Sequence, residues 1–192
     1  VPGTMLFAGM SFSVALVFIV WMGGELFTSN TMYLYTGAKR KRVSWRDLLA
    51  VWGVSWVGNL VGALLLVALV VGAHSMGEVG SDHLLAVVAA KKMGTDAFAI
   101  FLKGILCNVL VCIAIFMPLK TQHDVAKIML TMLPVVAFFA AGFEHSIANM
   151  GIFGLALYYA PSEMVNVGLA LNNLLFATLG NIVGGALFVA AT

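Results

Sequence analysis

Two short strings set ionisable and small polar groups together inside apolar stretches of this chain: GGELFTSNTM at residues 23–32 and FEHSIANM at 143–150. His145 stands out, because His74, His83 and His123 fall in expected loops or at segment ends. An imidazole can donate, accept or exchange a proton near neutral pH, and an ionisable group inside an apolar segment is a functional candidate by default. Against this stands the plainer role of a core histidine with its hydrogen bonds satisfied. Glu25 and Glu144 occupy matching places in the two strings. As carboxylates they suit a proton relay, or, more plainly, each accepts hydrogen bonds from the backbone of its own string. Asn59 and Asn181 lie in GNLVG and GNIVG, and Asn108 in LCNVLVC. The asparagines suit tying loops in place or lining a path, and the flanking glycines suit close helix packing.

The elements that must position these residues are membrane helices. Of 192 residues, 62% are hydrophobic and 9% charged, with a mean hydropathy of +1.05. Soluble domains are about 25% charged, so the composition requires a multi-pass membrane protein. No signal-peptide pattern is present. Cys107 and Cys112 are five apart on one expected helix, on different faces, so no disulfide between them is expected. No metal-ligand spacing occurs and no cofactor is implied.

Charges and turn residues divide the chain into apolar blocks at 1–38, 47–73, 97–119, 124–160 and 165–192. A crossing needs about 20 residues. A 38-residue straight helix would reach about 57 Å against a hydrocarbon core of about 30 Å. The first and fourth blocks must therefore be broken, and the two polar strings mark the breaks. Non-helical backbone at membrane depth is tolerated only where it is buried in protein or lines a cavity. Lys39, Arg40, Lys41, Arg42 and Arg46 follow the first block, and Lys120 and Lys127 follow the third. By the excess of cations, seven to two, these loops face the cytoplasm and the loop at 74–96, with Lys91 and Lys92, faces outward. The five-cation cluster reads as a solvated loop or as a site for lipid headgroups.

VGNLVGALLLV at 57–67 echoes LGNIVGGALFV at 179–189, and GELFTSNTM echoes FEHSIANM. The offsets are 122 for Asn59 and Asn181 and 119 for Glu25 and Glu144. The repeat unit is a broken helix followed by a whole one. In the second copy a further span, 97–119, comes first; its counterpart would precede Val1, so a first transmembrane helix is expected to be absent from this chain. The expected division is a first repeat at 1–73 (broken helix 1–38, helix 47–73), an outer loop at 74–96 and a second repeat at 97–192 (helix 97–119, broken helix 124–160, helix 165–192). Units of three spans are inverted relative to each other, and paired broken helices place a substrate path between them. Half-helix N-termini facing the centre favour anions.

FEHSIANM, GGELFTSNTM, KGILCNVLVC at 103–112 and GNIVGG at 180–185 together resemble the formate/nitrite transporter family over the whole chain, from the family's second helix to its sixth. The resemblance implies an all-α membrane protein of the inner cell membrane, with an aquaporin-like inverted repeat of three helices each, of which five spans are present here. It implies a homopentamer with one pore per protomer, surrounded by lipid, exchanging small monovalent anions of weak acids (formate, nitrite or hydrosulfide) together with protons, with no nucleic-acid partner. KGILCNVLVC resembles nitrite-type members more than formate-type ones. Carried over residue by residue, His145, Thr28, Asn108 and Asn181 stand at the pore centre. Leu16, Leu26 and Phe138 form the cytoplasmic constriction, Phe12, Phe27 and Val111 the outer one, and Lys92 sits at the outer mouth. Glu25, Glu144 and Asn59 stabilise the loops. Two rival readings are a membrane enzyme using His145, Glu144 and Ser146, for which no motif positions a base, and a channel for a small neutral solute, from which the twin Asn-Pro-Ala motifs of aquaporins are missing.

Overall fold

The computed structural model describes residues 2–190, so residue 1 and residues 191–192 at the ends of the expected first and last blocks lie outside the described residues. The described chain is helical, with one isolated bridge between Ser162 and Val165. Helix α1 spans Pro2–Met22 and α2 Phe27–Lys39, so the first block is broken where its glycines and polar residues cluster. Helix α3 is Trp45–Gly72, α4 Leu84–Met93 and α5 Ala97–Phe116, with a 3-10 turn at Met117–Lys120. Helices α6, Asp124–Ala140, and α7, Ser146–Tyr159, are the two halves of the fourth block. Helix α8, Val167–Val183, runs on into a π-helical turn at Gly184–Val189. Among the described residues, four stretches are long and apolar enough to cross a membrane: Gly3–Met22, Trp45–Gly72, Ala97–Lys120 and Val167–Val189.

The expected loop at 74–96 contains a helix. LLAVVAAKKM is made of good helix formers, His83 Nδ1 accepts from the Leu85 amide as its cap, and Ala86, Ala89 and Met93 bury one side against α7 and α8. Helix starts elsewhere also carry side-chain caps: Ser44 Oγ accepts from Asp47 N, Asp96 Oδ1 from Ala99 N and Asn166 Oδ1 from Leu169 N.

The two breaks share one stop. Gly23 has φ +67° and Gly142 φ +68°, the left-handed conformation that glycine adopts without strain. Gly24 N donates to Ile19 O at 2.8 Å and Phe143 N to Phe138 O at 3.0 Å, the reversed bond that closes a helix C-terminus. A β-carbon on either glycine would strain the turn and let the helix run on.

Helices α5 and α8 pack at backbone distance. A β-carbon on Gly104 would meet Ala177 O at 2.9 Å, and one on Gly180 would overlap Phe101 O. On α3, by contrast, nothing lies within 4 Å of such a position at Gly58 or Gly62, and only Leu48 and Ser55 are buried. Trp56 Nε1 of α3 donates to Thr178 Oγ1 of α8 at 3.1 Å. Cys107 and Cys112 are both free and buried on α5.

Candidate functional site

Each break is closed by one asparagine from a neighbouring whole helix. Asn59 on α3 accepts from Phe27 N at 3.0 Å and donates to Glu25 O at 3.0 Å. Asn181 on α8 accepts from Ser146 N at 2.9 Å and donates to Glu144 O at 2.9 Å. In both cases the side chain replaces two bonds that the interrupted helix cannot make with itself. Asn181 also accepts from Ser146 Oγ at 2.8 Å and donates to Gly104 O at 2.9 Å. An amide has two donors and two acceptor lone pairs, so all four are in use and Asn181 has no group left to offer a solute.

The glutamates are held by side chains, not by the backbone of their own breaks as the sequence suggested. Glu25 Oε2 accepts from Asn30 Nδ2 at 2.9 Å. Glu144 Oε2 accepts from Asn149 Nδ2 at 2.6 Å, Asn173 Nδ2 at 3.4 Å and Lys92 Nζ at 2.9 Å, the last an ion pair. Lys92 Nζ also donates to Phe143 O at 3.0 Å, and Asn173 Nδ2 to Lys92 O at 3.0 Å. Glu144 is 1% exposed, and a carboxylate so buried requires this pairing.

His145 is the N-cap of α7. Its Nδ1 accepts from Ala148 N at 3.3 Å, so the neutral ring carries its proton on Nε2, an assignment made from the bonding partner. The ring centroid lies 5.7 Å from that of Phe138 and 6.5 Å from that of Phe12. Two cavities meet at this residue. One is lined by Lys91, Lys92, Lys103, Phe143 and Glu144, the other by Phe12, Leu16, Leu26, Glu25 and Asn59, and both by Phe138 and His145.

Thr28 and Asn108 meet beside the first break. Asn108 Nδ2 donates to Thr28 O at 3.1 Å, Thr31 Oγ1 at 2.9 Å and Asn181 O at 2.6 Å, which ties α2 to α5 and α8. Thr31 Oγ1 donates to Thr28 O at 2.7 Å. Thr28 Oγ1 and Asn108 Oδ1 are buried and make no hydrogen bond among the described residues, so no Thr28–His145 bond is present. No group of ligands fit to hold a metal ion is found among the described residues.

The sequence model of the formate/nitrite transporter family matches residues 1–192. The chain belongs to the formate/nitrite transporter family. It is 39% identical over 182 residues to the nitrite transporter NirC of Escherichia coli (strain K12), covering 94% of this chain and 67% of that protein. A solved structure described as an FNT family ion channel superposes with a TM-score of 0.92 at 36% identity, covering 97% of this chain and 75% of the other. A pentameric formate channel with formate bound superposes with a TM-score of 0.83 at 32% identity, covering 99% and 82%. The protein is thus an all-helical, multi-pass membrane protein of a family of transporters and channels.

Within this family member, Leu16, Leu26, Val111 and Phe138 fall in one buried cluster with Cys107, and Phe12 packs against it, 6.3 Å from the Phe138 ring. Phe27, buried at the start of α2, lies outside that cluster. The single chain therefore gathers most of the residues expected at the two constrictions into one apolar cluster, with Phe12 and Phe138 beside His145. Asn149, Asn173 and Lys103 were not singled out from the sequence. Asn30 and Asn149 stand five residues after Glu25 and Glu144, so that pair was visible in the two strings; Asn173 and Lys103 come from other helices and left no local sign.

Proposed function

We propose that this chain is a transmembrane channel or transporter of the cell membrane for small monovalent anions of weak acids, nitrite or formate first and hydrosulfide by extension, with transport linked to protons at His145. It is not an enzyme in this reading. The observation that carries it is His145 in the wall shared by two cavities, with Nδ1 occupied by the Ala148 amide and aromatic rings against its sides. One donor, Nε2–H, is then left for a solute beside the apolar rings of Phe12 and Phe138.

A bare anion crosses an apolar constriction at high cost, whereas its neutral acid does not. The anion accepts the Nε2 hydrogen bond. When the ring takes up a second proton, the same bond carries a proton to the anion, giving neutral acid and neutral imidazole, and the ring recovers its proton from water. To hold that second proton the ring must leave the Ala148 amide, because Nδ1 can then no longer accept.

We further propose that residues 1–73 and 97–192 form two units inverted relative to each other in an aquaporin-like arrangement. The matched bonds of Asn59 and Asn181 and the matched glycine stops support this. The bare Gly58–Gly62 face of α3, set against the closely packed Gly180–Gly184 face of α8, suits a helix corresponding to α5. Lys39, Arg40, Lys41, Arg42 and Arg46, around the α2–α3 turn, mark the cytoplasmic side. Assembly as a homopentamer in lipid follows the likeness to the pentameric formate channel.

Reconstitution tests the reading. Proteoliposomes of the full-length protein should move nitrite or formate faster as pH falls, and should exclude chloride. Equal permeability to chloride, or flux of a neutral solute such as glycerol with no anion flux, would overturn it.

A further inference from the structure

We propose that the turn between α2 and α3 is a binding site for an anionic phospholipid, whose phosphate is held by the cations of residues 39–46 and whose acyl chains lie along the start of α3. The inference needs only that the protein spans a membrane, and it holds whatever solute the pore carries. The turn is stiff. Arg42 N donates to Gly37 O at 2.9 Å and Lys41 N to Ala38 O at 3.0 Å, the paired bonds that close a helix C-terminus. A β-carbon on Gly37 would lie 3.0 Å from Val43 Cγ2, so Val43 packs the turn against α2. Ser44 Oγ then accepts from Asp47 N at 3.0 Å and starts α3. The left-handed position of such a helix end is usually glycine, as at Gly23 and Gly142, but here it is Lys41, with φ +56°. The chain accepts strain to keep a charge at this point, which argues for a use of the charge.

Lys39, Arg40, Lys41, Arg42 and Arg46 are all exposed. Among the described residues the ion pairs are Lys92–Glu144 and Lys127–Asp124, so none of the five meets a carboxylate. The one acidic residue within 39–47 is Asp47, and its Oδ2 accepts from Ser44 Oγ at 2.7 Å. Five positive charges and one negative leave four positive in excess over nine residues. The loop at 118–127 is different. There Lys127 pairs with Asp124 at 3.5 Å, and Lys120 Nζ lies 4.8 Å from the Phe116 ring centroid. Cations in either loop serve to orient the chain in the membrane. Only the α2–α3 turn concentrates cations that no acidic side chain answers, and a phosphate supplies the missing charge.

The surface next to these cations changes in the order of a phospholipid. Tyr35 and Trp45 meet edge to face with centroids 5.7 Å apart, and Lys39 Nζ stands 6.0 Å from the Tyr35 centroid. Trp45 is 56% exposed, and such rings settle at the headgroup level of a membrane. One turn further along α3, on the same face, Leu49 is 65% exposed. Cations, aromatic rings and leucine thus stand beside phosphate, glycerol ester and acyl chain in turn. A free phosphate would use the first of these alone, so the continuous surface favours the lipid.

The test is lipid retention by the full-length protein in native mass spectrometry, with phosphatidylglycerol and phosphatidylcholine of the same acyl chains offered in equal amounts. One cation at a membrane surface favours an anionic lipid about fivefold, so wild type should prefer phosphatidylglycerol by about tenfold or more. Arg42→Gln with Arg46→Gln should lower that preference about fivefold or more. Arg42→Lys with Arg46→Lys keeps the charge and should keep most of the preference. Lys120→Gln with Lys127→Gln removes the same charge from the other loop and should change the preference less than about twofold. Equal retention of the two lipids by wild type overturns the inference. So does a preference that survives in the Arg42→Gln, Arg46→Gln protein, or an equal loss in the two Gln proteins, which would make the attraction one of net charge. Hydrogen exchange locates the lipid on the wild-type protein itself: phosphatidylglycerol should slow the amides of residues 40–46 and leave those of 121–127 unchanged. No slowing at 40–46, or equal slowing in both loops, also overturns it.

Discussion

Replacing Asn181 by Ala removes four hydrogen bonds: those to Ser146 N, Ser146 Oγ, Gly104 O and Glu144 O. Side-chain bonds between membrane helices are worth about 0.6 kcal/mol each on average, which gives a floor near 2.4 kcal/mol. The Ser146 amide, a helix-start donor, then has no partner in a site where Asn181 is fully buried, and an orphaned buried group costs about 1–3 kcal/mol. The expected loss is therefore about 3–5 kcal/mol. Asn59→Ala removes two bonds, to Phe27 N and Glu25 O, from a half-buried place that water can reach, so its cost is about 1 kcal/mol. For a chain of this size about 1 kcal/mol shifts the melting temperature by about 2–4 °C. Thermal unfolding of detergent-solubilised protein, followed by fluorescence-detected gel filtration, should show Asn181→Ala melting about 6–20 °C below wild type and Asn59→Ala about 2–4 °C below. Equal shifts, or a larger one for Asn59→Ala, would refute the reasoning that these residues act as clamps in proportion to the bonds they make.

The Lys92–Glu144 pair should respond asymmetrically. Lys92→Met strands a fully buried carboxylate and should cost about 3–5 kcal/mol, whereas Glu144→Gln leaves a lysine that can reach the cavity and should cost less than half as much; the same thermal assay reads both. A β-carbon on Gly185 would overlap Thr31 Oγ1 and lie 2.7 Å from Asn108 Nδ2, so Gly185→Ala should depress both stability and nitrite flux. Adding Thr31→Ala should restore most of that loss in the double variant. A double variant no better than Gly185→Ala would show that the overlap with Thr31 Oγ1 is not the cause.

The breaks were legible because the chain must interrupt a 38-residue apolar run, and glycine followed by small polar groups is the only place it can do so cheaply. The echo of Asn59 in Asn181 was legible for the same reason: each break needs a foreign donor and acceptor. The partners of the glutamates were not, since Lys92 and Asn173 lie 52 and 29 residues from Glu144 and are brought in by packing of α4 and α8. The gathering of Phe12 with Leu16 and Phe138 depends on α1 lying along α6, which periodicity alone does not specify. The helix α4 was hidden by its brevity: ten residues cannot span a membrane, so the stretch looked like loop.

The most direct test of the account is nitrite flux through proteoliposomes carrying wild-type protein or His145→Asn, measured from about pH 5 to 8, a window that brackets an ordinary imidazole. Asparagine keeps a polar side chain at the start of α7 but removes the group that exchanges a proton. Wild-type flux should rise steeply as pH falls, and His145→Asn should lose most of that rise while retaining at most a slow, pH-flat leak of the anion. Flux and pH dependence in His145→Asn equal to those of wild type would contradict the account, and would leave His145 a helix cap with no part in transport.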